Sequence, residues 1–372
     1  MRVLVVNAGS SSLKLTLLAC AREGDGEDTT IAARELEAPR AQVDPDELRA
    51  VLDSPLREAD AVGHRIVHGG ERFREAVRID AGVETAMREL TDLAPLHQPK
   101  SLAALDAVTR ALPNLPAVAC FDTAFHATIP AAAATYALPA EWRERWGLRR
   151  YGFHGLSHAW VARRTPELLE RGASGLRIVS CHLGAGASLC AINDGMSLDT
   201  TMGFTPLEGL VMATRSGSVD PGMLLWLLEH ERLSATELAE ALEHDAGLKG
   251  LAGTADMREV LSRADAGDEP ARLARDVYIH RLRAGIAAMA ASMAGIDVVA
   301  FTGGVGEHSA PVRAGAAAGL SFLGVSLDRR RNDGAHADAE IGAAGAAVRT
   351  LVITAREDLE IARQVRAVLG IA

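Results

Sequence analysis

Three stretches of this 372-residue chain break from an apolar run into small residues, with chemistry-bearing side chains at the break. Val3–Val6 leads into Asn7-Ala-Gly-Ser-Ser-Ser12, with Lys14 just beyond. Leu176–Cys181 leads into His182-Leu-Gly-Ala-Gly-Ala-Ser188, and Val298–Phe301 into Thr302-Gly-Gly-Val-Gly-Glu-His-Ser309. Each reads as a buried strand opening into a turn with uncovered backbone N–H groups. A row of such groups attracts an anion, and glycine lets a ligand approach the backbone. Three together point to one phosphate-bearing ligand. None matches a common nucleotide fingerprint: there is no GxxxxGK[ST], and position 309, where GxGxxG would need glycine, is serine.

The other reactive residues fit the same chemistry. Arg65 and Arg215 lie among Gly, Ser and Thr, and arginine is the residue that forks a carboxylate or phosphoryl group. Asp122 follows an apolar run and Glu357 follows the last one, which supplies carboxylates for Mg²⁺. His97, His126, His154, His158 and His182 lie near turns. The pair His154/His158 has metal-ligand spacing, but no third ligand is placed to complete a zinc site, so a histidine that stabilises transferring charge is the better reading.

Elements must hold these groups. Val3–Val6, Ala59–Val67, Ala117–Phe121 and 176–181 read as buried strands, with Leu13–Leu17, Thr30–Glu37 and Leu189–Ile192 beside them. Asn193-Asp-Gly195 is a hairpin turn. Pro45–Leu52, Gly82–Leu93, Pro99–Leu112, Glu269–Ala294 and Asp358–Leu369 read as helices. The order β-β-β-α-β-α occurs once before residue 126 and again after 175, which predicts two copies of one α/β unit facing each other across a nucleotide cleft. The expected domains are 1–126 and 127–358, with a closing helix at 359–372 packed on the first. Polar residues at strand ends are where such sheets place chemistry.

Composition bounds the function. A net charge of −10 argues against a nucleic-acid surface, and 48% hydrophobic residues suffice for two cores. Cys20, Cys120, Cys181 and Cys190 form no CxxC pair and read as buried free thiols in a cytoplasmic protein. Asn7 and Gly9 come too early for a signal peptide, and the longest apolar tract, Ala284–Phe301, is interrupted by Gly285, Ser292, Gly295 and Asp297, so no membrane span is expected.

Longer motifs resemble one family. Asn7-Ala-Gly-Ser-Ser-Ser-Leu-Lys14, His64-Arg-Ile-Val-His-Gly-Gly-Glu71, Ala94-Pro-Leu-His97, Phe121-Asp-Thr-Ala-Phe-His126, Arg149–His158, His182-Leu-Gly184, Asp199–Gly209, Thr214-Arg-Ser-Gly217 and Phe301–Glu307 are similar to the motifs of acetate kinases, from residue 3 to the closing helix. The resemblance implies the duplicated actin-like ATPase (ribonuclease H-like) fold shared with Hsp70 and sugar kinases. It also implies a homodimer, and reversible transfer of the ATP γ-phosphoryl group to acetate with Mg²⁺ or Mn²⁺. By motif, Asn7 and Glu357 would hold the metal, and Asp122, His154 and Arg215 would be catalytic. Arg65, Arg215 and His97 would bind the acid. Ser12, Lys14, Ser180, Cys181, His182, Leu183, Gly184, Asp256, Met257, Arg258, Gly303, Gly304, Val305, Gly306 and Glu307 would bind nucleotide.

The chain departs from the family pattern at Gln98, Ala185, His308 and Arg356, positions that bear on nucleotide affinity rather than on the charged catalytic set. Two rival functions stand beside the leading one. The first is a kinase for a longer acid, such as propionate or butyrate, since one methylene is worth only about 1–3 kcal/mol in a pocket. The second is a nucleotide-gated binding protein without transfer chemistry, for which Arg65, Asp122, His154 and Arg215 together would be superfluous.

Overall fold

The computed structural model describes residues 1–8, 12–21, 28–37, 45–52, 55–94 and 98–371. They form two compact units: Met1–Ala127 with Phe153–Trp160 and Arg356–Ala372, and Thr128–Gly152 with Val161–Ala355.

The first unit is built on strands β1 (Arg2–Ala8), β2 (Ser12–Ala19), β3 (Thr29–Glu37), β4 (Ala61–Ile66), β5 (Val77–Arg78) and β6 (Ala117–Phe121). Their order is β3-β2-β1-β4-β6-β5. β1, β2 and β3 form an antiparallel meander, β1, β4 and β6 run parallel, and β5 pairs antiparallel at the edge. The continuous run Val3–Val6 is buried because both faces of β1 are covered. Leu4, Val6 and Val62 pack with Ala104 and Val108 of the helix Gln98–Ala111. Val3, Val5, Ala61 and Val118 pack with Ile361, Ala362 and Val365 of the closing helix Glu357–Leu369. That helix lies so close to β4 that a Cβ at Gly63 would sit 2.5 Å from the Ile361 Cγ2.

The second unit repeats the plan with β7 (Arg177–Leu183), β8 (Ala187–Asn193), β9 (Met196–Thr200), β10 (Val298–Thr302), β11 (Ala339–Glu340) and β12 (Arg349–Val352). The order β11-β12-β10-β7-β8-β9 has the same meander, the same three parallel strands and the same short antiparallel edge strand. The α/β duplication expected from the sequence is therefore present. The β8–β9 turn carries Asp194 and Gly195 at φ 53° and 76°, the left-handed pair of a two-residue hairpin. The helix Glu269–Ser292 starts at Asp268, whose Oδ1 accepts from the Ala271 N–H at 3.1 Å, and buries Tyr278, Leu282, Ile286 and Met289 along one stripe.

Two details differ from the sequence reading. Residues 303–308 are a short helix, Gly303–His308, rather than an open loop, because Gly303 takes φ 76° directly after β10 and turns the chain into a helical path. The apolar run Leu351–Thr354 near the C-terminus reads as a strand in sequence, but the strand is Arg349–Val352, set by its pairing with β10 from Val298 to Phe301.

Candidate active site

In the first unit the chemistry gathers at the C-terminal ends of three parallel strands. Asn7 is the penultimate residue of β1, Arg65 that of β4, and Asp122 follows β6. The Arg65 Nε donates to both Asp122 carboxylate oxygens at 3.1 and 3.0 Å, and Nη2 donates to Oδ2 at 2.5 Å. Its Nη1 donates to the Asn7 Oδ1 at 3.0 Å, and the Asn7 Nδ2 donates to the Glu357 Oε2 at 3.0 Å. Asp122, Arg65, Asn7 and Glu357 thus form one connected chain. Among the described residues these bonds use the Nε N–H and one N–H on each terminal nitrogen, out of the five donors of a guanidinium.

Asp122 is buried at 1% exposure. Burial pushes its carboxyl up and Glu357 adds to the rise, while the Arg65 guanidinium works the other way. Burial also opposes the Arg65 charge, but Asp122 and Glu357 outweigh it and hold that guanidinium above its ordinary range. The pair is geometrically a bidentate ion pair.

His154 is fixed to the same place through the backbone. The Gly155 N–H donates to the Asp122 carbonyl at 2.8 Å, and a Cβ at Gly155 would lie 2.1 Å from that oxygen. His154 itself holds φ 55°, a left-handed conformation for a side-chain-bearing residue. Behind it, the His126 ring shares a hydrogen bond with the Phe153 carbonyl through Nε2 at 3.0 Å and meets the His158 ring edge-on. Gln98 is a clamp on His68: its Oε1 accepts from the His68 N–H and its Nε2 donates to the His68 carbonyl, both at 3.1 Å. Ser12 and Lys14 share one partner on β3, with the Ser12 Oγ donating to the Glu35 Oε1 at 2.6 Å and the Lys14 Nζ 3.8 Å from it. His97 and the turn residues 9–11 lie outside the described residues.

In the second unit a cavity of about 740 Å³ is lined by Gly184, Asp256, Met257, Arg258, Gly304 and Val305, all anticipated from the sequence. It is also lined by Ala185 and His308, two of the departures from the family pattern. Apolar walls come from Ala213, Leu248, Ala255, Leu261 and Pro311, and Tyr278 and Ser309 complete the lining. No motif marked Leu248, Leu261 or Tyr278, which look like ordinary core positions in sequence. Asp256 caps the helix Met257–Asp265 by accepting from the Arg258 N–H at 2.8 Å, and the Arg258 side chain folds back on it. The side-chain bond from Arg258 lowers the Asp256 carboxyl to about 2.

Other anticipated residues are not on this cavity. Ser180, Cys181, His182 and Leu183 are strand residues of β7. Gly303 is needed because a Cβ there would lie 2.9 Å from the Leu183 carbonyl. The Glu307 Oε1 accepts from the Gly303 and Ala355 N–H groups, each at 3.0 Å, so this carboxylate ties the helix Gly303–His308 to the chain after β12. Gly306 is buried within that helix, and its carbonyl accepts from the buried Arg313 at 2.9 Å.

Arg215 stands in the irregular stretch after β9. Its Nη1 donates to the Pro206 carbonyl at 2.7 Å, and burial lowers its pKa against the pull of Glu243. No carboxylate forms an ion pair with it among the described residues.

Among the described residues no three His, Cys, Asp or Glu side chains gather as a metal cage. The oxygen donors of Glu357 and Asn7 instead suit a hard cation that keeps water and phosphate ligands, which is the habit of Mg²⁺. Among the described residues no helix is long and apolar enough to cross a membrane.

Over residues 44–363 the chain matches the model of the Acetokinase family. It is similar to the acetate kinase of Gloeobacter violaceus, with 50% identity over 320 residues, 86% of this chain and 78% of that protein. The crystal structure of Porphyromonas gingivalis acetate kinase aligns with a TM-score of 0.88 at 36% identity and covers 99% of both chains. A propionate kinase from Francisella tularensis aligns with a TM-score of 0.88 at 34% identity over 98% of both.

Proposed function

Because the chain belongs to the acetokinase family, we propose that it transfers the ATP γ-phosphoryl group to acetate, reversibly, giving acetyl phosphate and ADP. An acetate oxygen attacks the γ-phosphorus, the bond to the β–γ bridging oxygen breaks, and ADP leaves with that electron pair. Such a transfer needs positioning and charge neutralisation more than covalent chemistry. The observation that carries the proposal is the Asp122–Arg65–Asn7–Glu357 chain at three strand ends.

Arg65 takes the acid with the guanidinium donors that its bonds to Asp122 and Asn7 do not use. Asp122 fixes the direction of that fork. Arg215, which has no carboxylate partner among the described residues, neutralises charge on the transferring group, and His154 does the same from its strained backbone position. Ser12 and Lys14 meet the phosphates. The cavity of the second unit holds the adenosine end, with Asp256–Arg258 and Gly304–Val305 against it. Glu357 and Asn7 would hold Mg²⁺, which supplies charge neutralisation on the phosphate oxygens when bound.

The active form is a homodimer. The helix Pro221–His230 supports this: it is mostly apolar yet has no buried residue, and Met223, Leu225 and Trp226 stand exposed. An unpartnered apolar face of this kind marks an association surface.

A hydroxamate assay for acyl phosphate, run with ATP, Mg²⁺ and acetate, propionate or butyrate, tests the proposal. Acetate should give the highest kcat/KM. The likeness to a propionate kinase makes a propionate preference the second reading, and that assay separates the two.

A further inference from the structure

Among the described residues the Arg215 side chain has one hydrogen-bond acceptor, the Pro206 carbonyl at 2.7 Å. The position of that carbonyl therefore decides where the guanidinium points. Pro206 lies in an irregular segment, Thr201–Gly209, with no helix or strand to hold it. Something else must fix it, and three side chains do.

Glu208 sits two residues beyond Pro206. Its Oε1 accepts from the Arg150 Nη2 at 2.8 Å, and its Oε2 accepts from the Tyr136 hydroxyl. The Tyr136 oxygen in turn accepts from the Phe204 N–H at 3.0 Å. Arg150 Nη1 donates to the Thr201 and Met202 carbonyls at 3.2 and 3.0 Å, and its guanidinium lies 5.5 Å from the centroid of the Tyr136 ring. The segment is gripped at Thr201, Met202, Phe204 and Glu208, on both sides of Pro206. The Tyr151 and Gly152 N–H groups add bonds to the Gly203 carbonyl at 3.1 and 3.2 Å. There is no slack at the centre: a Cβ on Gly203 would fall 1.8 Å from the Glu208 Oε2 and 2.1 Å from the Tyr136 Oη.

We propose that Tyr136, Glu208 and Arg150 are positioning residues for Arg215, acting through the backbone of Thr201–Gly209 and the Pro206 carbonyl. A planar guanidinium held at one N–H pivots about that bond, so a shift of its acceptor is a shift of the charge it offers. The inference rests on the reading of Arg215 as a transition-state group.

The test uses the full chain and steady-state kinetics of acetyl phosphate formation, with nucleotide Kd measured separately by calorimetry. Tyr136→Phe removes one oxygen and keeps the ring. It should lower kcat by about tenfold, the loss expected when hydrogen bonds to a charged group are removed. The nucleotide Kd should stay within about twofold, because the substitution acts on a transition-state contact rather than on ground-state binding. Glu208→Gln, which keeps length and one acceptor, should fall between wild type and Glu208→Ala.

The decisive readout is coupling. In an Arg215→Ala background, Tyr136→Phe should cause little further loss, because the group it positions is already gone. If the two losses multiply in full, the network is scaffold only and the inference is overturned. A change in nucleotide Kd that matches the loss in kcat/KM overturns it too. If Arg215→Ala alone keeps wild-type kcat, the reading of Arg215 fails first, and the inference falls with it.

Discussion

At the scale of single residues, the site is charge held in fixed geometry. Asp122 is nearly inaccessible, and Arg65 spends its Nε and one Nη2 donor on it. Asp122→Asn keeps the shape and loses the charge. A buried pair broken on one side costs about 3–5 kcal/mol, so the variant should melt lower than wild type while remaining folded. The Arg65 fork would lose its direction, and kcat should fall about a hundredfold or more, the scale of losing one preorganised charge contact. Near wild-type kcat would remove Asp122 from the mechanism. Arg215→Lys makes a different point. Lysine keeps the charge but lacks the planar fork, so kcat should drop at least about tenfold, equivalent to about 1.4 kcal/mol of transition-state stabilisation. A change confined to the acetate KM would make Arg215 a ground-state binder.

At the element scale, β4 carries both the site and a liability. Arg65 is flanked by His64, which is buried at 1% exposure, and neither His64 ring nitrogen has a hydrogen-bond partner among the described residues. Its register neighbours are Val6 and Ala119, both apolar. Burial lowers the His64 pKa to about 3 and the His68 pKa to about 4. Both rings are therefore neutral in the folded protein, and the His68 Nδ1 accepts from the Gly70 N–H at 2.9 Å. In the unfolded chain each titrates near 6.5, so the unfolded state binds more protons below that pH. The stability these neutral rings support is whole above about pH 6.5 and is lost as pH falls toward 4, at up to about 1.4 kcal/mol per pH unit for each ring. Urea unfolding at pH 7.5, 6 and 5 should show this decline, and His64→Leu should flatten it by one proton's share. An unchanged slope in His64→Leu would show that this ring does not titrate on unfolding.

Much at this scale was legible in the sequence. Val3–Val6 and Ala117–Phe121 announced buried strands by continuous apolarity, and the residues that follow them, Asn7 and Asp122, are where open α/β sheets put their chemistry. The repeat of the meander was legible for the same reason. What escaped were features set by distant chain. The edge strands Val77–Arg78 and Ala339–Glu340 are two residues each, too short to show a period, and exist only through pairing with β6 and β12. Tyr278 reaches the cavity from the middle of an ordinary amphipathic stripe. Arg313 is fully buried and donates to Asn332 and to the Gly306 and Glu307 carbonyls, bracing the helix Gly303–His308, yet nothing nearby in sequence separates it from a surface arginine.

At the scale of the whole molecule, a chain of net charge −10 must bind anionic nucleotide through local cations and N–H groups, so its nucleotide-binding residues cannot be read from overall charge. The proposed homodimer is the second question at this scale. Leu225 is 58% exposed, so Leu225→Glu should cost the single chain little stability. The same charge buried at a dimer interface would be unpaired, and sedimentation should show the wild type at twice the chain mass and the variant at once the mass. Twice the chain mass for both proteins would place the dimer contact elsewhere, and once the mass for both would overturn the homodimer.

Direct phosphoryl transfer to a carboxylate can be watched by ³¹P NMR of the purified chain with ATP, Mg²⁺ and acetate. The ATP γ-resonance should decline as an acyl phosphate resonance and ADP grow together in equal amounts, and omitting acetate should stop the consumption of ATP. Growth of inorganic phosphate alone, or ATP that persists unchanged in the presence of acetate, would contradict it.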